Sequence, residues 1–118
     1  NLVASLSAPV NQPFTREFWA FNPADYLRDI EVPVLVVIGK KDIQTDRKLD
    51  GEALEQASRD KSNISFYYPE NANHVLKHEP RPREQLTGAD ALAYNTPGTY
   101  LDPETIETIL RWLKEHAQ

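Results

Sequence analysis

The chain has 118 residues, is 40% hydrophobic and 26% charged, and carries a net charge of −5, the makeup of one soluble globular domain. It has no cysteine, which excludes disulfides and thiolate metal sites. The acidic balance without a Lys/Arg cluster excludes nucleic acid as a partner, and no apolar run nears the roughly 20 residues of a membrane helix.

The first ten residues lack the basic start and apolar core of a signal peptide, so a cytoplasmic location is expected. Their pattern scarcely supports a strand. An aromatic cluster follows (Phe14, Phe18, Trp19 and Phe21), and Asn22-Pro23 then starts a short helix running to about Asp29. Residues 32–39, V-P-V-L-V-V-I-G, form a continuous β-branched run with Pro33 at its entry and Gly39 at its exit. That is the pattern of a parallel strand covered on both faces. A helix is expected over residues 47–58, capped by Asp46, with Leu49, Ala53, Leu54 and Ala57 on one apolar stripe.

A second strand is expected over residues 64–68, ended by Pro69, so that strand, helix and strand make a right-handed βαβ unit. The polar stretch between His74 and Asp102 holds Pro80, Pro82, Gly88, Pro97 and Gly98, and reads as a long lid or binding loop. Asp102 then caps a last helix with Pro103 at its first position. Ile106, Ile109, Leu110 and Leu113 recur in it at core-facing spacing, with Trp112 beside them. The fold class is therefore α/β, with about two strands and three helices. Two parallel strands do not make a self-sufficient sheet, and the strands that complete it are expected upstream, outside these residues.

Two loops can carry chemistry. Gly39-Lys40-Lys41-Asp42-Ile43-Gln44 lies beyond the carboxyl end of the first strand, where open α/β sheets place their ligands. Pro69-Glu70-Asn71-Ala72-Asn73-His74 lies beyond the second. Singly, Asp42 reads as a turn or cap residue and His74 as a surface or structural histidine. Together, on neighbouring parallel strands, they bring a carboxylate and an imidazole to one sheet edge. There the acid can fix the tautomer of a general base.

From Asp25 to Lys77 the chain resembles the end of an α/β-hydrolase of the esterase or serine aminopeptidase kind. The resemblance rests on the P-V-L-x-x-x-G strand, the D-x-Q turn and the N-H of the second loop, and it extends to the Leu101-Asp102-Pro103-Glu104 helix start. It implies that Asp42 is the acid and His74 the base of a catalytic triad, with Gln44 and Asn73 shaping their turns. Residues 1–30 are then a cap-to-core segment, 31–78 the βαβ unit, 79–101 the long loop and 102–118 the C-terminal helix. The implied chemistry is acyl transfer on a small ester or amide, through a serine acyl-enzyme, with no metal or organic cofactor. The nucleophile is missing: none of the four glycines, at 39, 51, 88 and 98, belongs to a G-x-S-x-G. The oxyanion-hole segment is missing too, so the chain alone is expected to be inactive.

Three other readings compete. His74 and His78 are four apart, as metal-binding histidines on a helix are, but H-V-L-K-H has no Glu and no evident third ligand. No Gly-rich turn follows the first strand, which disfavours a nucleotide site. The third is a non-catalytic α/β interaction module that pairs with a partner chain. On the hydrolase reading, the chain is expected to self-associate or to pair with the missing N-terminal half. The aromatic cluster reads as ordinary packing or as part of an acyl pocket.

Overall fold

A computed structural model of the chain describes residues 2–117, and Leu2 by its backbone alone. It contains six α-helices and one two-stranded parallel sheet. The helices are α1 (Leu2–Ser7), α2 (Gln12–Ala20), α3 (Pro23–Asp29), α4 (Glu52–Ser58), α5 (Gly88–Ala91) and α6 (Pro103–His116). The strands are β1 (Val34–Val37) and β2 (Ile64–Tyr67), paired in the register Val34 to Ile64 through Val37 to Tyr67. No described helix is long and apolar enough to cross a membrane.

Local signals account for the three expected helices. In α3 the Asn22 side chain accepts from the Ala24 N–H, and Pro23 opens the first turn. Asp102 caps α6 by accepting from the Thr105 N–H. Asp46 accepts from the N–H groups of Lys48 and Leu49 at the start of the expected third helix. That helix opens with a π-wound turn, Arg47–Gly51, before α4 proper. The wider winding displaces the side chains that follow from α-helical register. Leu49 consequently stands 77% exposed and is not part of the stripe expected of it. Helix α3 packs on α4 and buries Leu27. Asn63, at the start of β2, donates to the carbonyls of Ile30 and Val32 and so holds the entry of β1.

Three helices go beyond the expected number. Helix α1 is six residues long, too short for a periodic stripe. Of the aromatic residues that read as a cluster, Phe14, Phe18 and Trp19 lie on α2, with Phe14 stacked on Phe18 one turn away, whereas Phe21 lies beyond its end and stacks on Tyr26 of α3. Helix α5 falls inside the stretch read as a long loop and is started by a Thr87–Asp90 capping box. The T-x-x-D signal was present in the sequence, but with no apolar run behind it.

Burial departs from expectation in the same direction throughout. Residues of β1 are half-buried where a two-sided cover was expected. On α6, Thr105 is fully buried, yet Leu110 and Leu113 are 51% and 48% exposed, against the core-facing stripe expected there. The physical reason is shared: neither outer edge of the sheet meets another strand among the described residues, and few elements lie over its faces.

The two strand ends are zipped together by backbone. Beyond the ladder, Ile38 N–H donates to the Tyr67 carbonyl (3.2 Å), Lys40 N–H to Pro69 (2.9 Å) and Lys41 N–H to Ala72 (3.0 Å). Gly39 sits in the crossing, where a Cβ would lie 2.0 Å from the Ala72 oxygen. Only glycine fits, because backbone atoms have no rotamer by which to move aside. Gly39→Ala is expected to cost more than about 2 kcal/mol of folding stability, in the upper range of single substitutions. Denaturant unfolding of the two proteins checks this, and equal midpoints would refute the contact.

Candidate functional site

Asp42 follows the crossing directly. It is 3% exposed, and both carboxylate oxygens are used. Oδ1 accepts from the N–H groups of Gln44 (2.7 Å) and Thr45 (2.9 Å), closing the turn on the acid's own side chain. Oδ2 lies 2.9 Å from Nδ1 of His74. A carboxylate can only accept, so the neutral tautomer that fits this contact has its proton on Nδ1 and its lone pair on Nε2. The His74 side chain is 38% exposed while its acid is enclosed. The two loops thus bring Asp42 and His74 into contact at one sheet edge, the carboxylate behind the ring and the ring open at its other end.

Asn73, also buried, shapes the histidine loop. Its Oδ1 accepts from the N–H groups of Val75 and Lys77, and its own N–H donates to the Lys77 carbonyl. The loop closes through Leu76 in the left-handed region at φ 60°, sparsely populated for a non-glycine residue. Gln44 contributes through its backbone N–H, with an exposed side chain.

A second histidine–aspartate pair lies on the far side of the same loop. His78 Nδ1 is 2.8 Å from Asp102 Oδ1, and Asp102 Oδ2 accepts from both the N–H and the hydroxyl of Thr105. The His78 ring stacks on Tyr100. His78 N–H donates to the Tyr100 carbonyl, and Asp102 N–H to that of Leu76. One side chain therefore caps α6 and anchors the histidine loop to it. His74 and His78 lie in this loop and not on a helix, and each is bonded to a different carboxylate. Among the described residues no group of three or more His, Cys, Asp or Glu is placed to hold a metal ion.

Arg83 was not singled out by sequence reasoning. Its Nε donates to the Asp42 carbonyl (2.8 Å), and its Nη2 pairs with Asp46 (3.0 Å). The long segment is tied to the acid turn at this point, 41 residues away in sequence. No periodic or motif signal marks such a contact. No serine among the described residues is bonded to His74, and Ser58 is buried with its hydroxyl donating to the Leu54 carbonyl. Compared with protein-family models, curated proteins and solved structures, the chain matches none.

Burial acts to raise the Asp102 carboxyl, but the hydrogen bonds from His78 and Thr105 outweigh it and hold the group below the usual carboxylate range. A folded-state value below the unfolded one stabilises the fold fully above about pH 4 and is lost as pH falls through the folded value. Asp102→Asn is therefore expected to lose less stability than the parent between about pH 5 and pH 2. At neutral pH, Asp102→Ala is expected to cost about 1 kcal/mol or more as a lost cap. Thermal unfolding across pH checks both, and parallel acid profiles for parent and Asp102→Asn would refute the first.

Proposed function

We propose that this chain supplies the acid and base of a serine hydrolase of the α/β-hydrolase type, acting on carboxylic esters, with amide or peptide bonds as the second choice. The single observation that carries the reading is the 2.9 Å bond from His74 to buried Asp42, made at the carboxyl ends of two adjacent parallel strands with Nε2 left free.

In the proposed reaction, a serine hydroxyl attacks the substrate carbonyl while its proton passes to His74 Nε2. Asp42 holds the tautomer and stabilises the imidazolium that forms. His74 then returns the proton to the leaving group, and a water activated in the same way releases the acyl group. The serine and the oxyanion donors come from strands outside these residues. The sheet of two strands, with neither outer edge paired among the described residues, is the supporting observation, since parallel sheets otherwise occur with several strands and helices on both faces. On this reading the chain is the C-terminal portion of the catalytic domain, and α1 to α3 lead from a cap into the core.

The test is made on the natural gene product isolated from its source cells. It is expected to exceed these residues in size, to contain a G-x-S-x-G, and to hydrolyse an activated ester. Asp42→Asn is expected to lower kcat by about four orders of magnitude, and His74→Ala by at least as much. The isolated 118 residues are expected to be inactive; His74-dependent turnover by them would refute the division of labour. Full activity of His74→Ala in the natural product would refute the role of the base.

The open sheet edges and the exposed apolar residues of α2 and α6 have a second consequence. Phe14, Phe18 and Trp19 on α2 are 61% to 71% exposed. Isolated, the chain is expected to self-associate through these surfaces. Sedimentation velocity over a concentration series reads this directly, and a single monomeric species throughout would refute it.

A further inference from the structure

The acid turn borders a second feature, a groove of about 390 Å³ between the turns that follow β1 and β2, the π-wound turn and the segment around Arg83. In a chain of net charge −5, the groove is lined by five cationic side chains and three acidic ones. Lys40 is neutralised by Glu70 at 2.6 Å, and Arg83 by Asp46 at 3.0 Å. Lys41, Arg47 and Lys48 make no ion-pair contact within 4.0 Å among the described residues, and act only at longer range, Lys41 and Arg47 on Glu70 and Lys48 on Asp46. Glu84 is the one acid of the lining outside those two pairs.

Arg47 is held in a defined place. Its guanidinium lies over the Tyr68 ring, 5.3 Å from the centroid. A guanidinium presents planar N–H donors as a rigid fork, the arrangement that matches an oxyanion. Two flexible ammonium groups beside a fixed fork can close on one small anion from several sides with charge-assisted hydrogen bonds.

We infer that this groove binds the anionic end of a small molecule, a carboxylate or phosphate group held by Lys41, Arg47 and Lys48. The inference rests on the hydrolase reading only in taking that molecule to be the substrate. Lys41 immediately precedes Asp42, and Arg83 bonds both the Asp42 carbonyl and the groove's Asp46, so an anion seated here lies on the same pair of turns as the dyad. The substrate class then narrows to esters or amides with a negative charge on the part away from the scissile bond.

The test is calorimetric titration of the natural gene product with succinate and, separately, with inorganic phosphate, at low and at raised salt. Saturable binding of at least one anion is expected, weakened by salt because the groove is open to solvent. The Lys41→Gln/Lys48→Gln double variant is expected to weaken it about tenfold or more, and Lys114→Gln on α6 to leave it unchanged. Binding of phosphate alone assigns a phosphoryl group, and binding of succinate alone a carboxylate. Absence of saturable binding by either anion overturns the proposal. So does binding that the double variant retains while circular dichroism shows it folded. If the double variant is unfolded, Arg47→Gln replaces it under the same criterion. The readout is heat of binding, so a failed groove leaves His74-dependent hydrolysis standing, and an inert His74 leaves the groove standing.

Discussion

Everything proposed for this chain depends on the backbone crossing of Gly39 with Ala72. Two loops that leave a parallel sheet side by side have no inherent reason to stay together, since the strand ladder ends at Val37 and Tyr67. Three further N–H to carbonyl bonds, from Ile38, Lys40 and Lys41, carry the pairing on for several residues. They do so only because position 39 has no side chain to keep the Ala72 carbonyl away. The register of the strands is thereby transmitted to Asp42 and His74, 32 residues apart in sequence, which meet at bonding distance.

Around that crossing the structure fixes polar atoms locally before using them at long range. Asp42 closes its own turn with one oxygen and addresses His74 with the other. Asp102 does the same with Thr105 and His78. In each case local hydrogen bonds immobilise a buried carboxylate, so that its remaining oxygen can orient an imidazole at little further entropic cost. The two pairs differ in what lies beyond the ring. His78 is stacked on Tyr100 and links two segments, whereas His74 is open on the side away from its acid. The same motif thus serves anchoring in one place and, on our proposal, proton transfer in the other.

The arrangement of apolar surface complements this. The Asp42–His74 pair stands at the edge of a two-stranded sheet, with aromatic residues of α2 and leucines of α6 exposed, which on our proposal is where further structure meets it. The same picture explains why the chain's best-built region is the junction of its turns rather than a hydrophobic interior. The buried set is dominated by short polar side chains and turn residues, among them Asp42, Asn73, Asp102 and Thr105.

Much of this was legible in the residues. Proline and asparagine at the start of α3, Asp102-Pro103 at α6 and Asp46 before α4 are signals written in adjacent positions, and each helix begins where they place it. A β-branched run locates β1 and an apolar-aromatic stretch ended by Pro69 locates β2, and the carboxyl-end rule places Asp42 and His74 at one sheet edge. What escaped depends on geometry with no local trace. Leu49 lies in the π-wound turn and is exposed, outside the stripe that apolar spacing assigned it. Periodicity assigns Leu110 and Leu113 to a core that the described residues do not provide. Arg83, His78 and Asn63 matter through bonds spanning 24 to 41 positions, including both carbonyls that Asn63 holds. The sequence by itself determined where the capped helices α3 and α6 and the two strands start and which groups can titrate, since caps, turns and strand propensity act over a few residues. Only the tertiary structure decided which of those groups face one another, since that follows from the closing of distant loops on a single glycine.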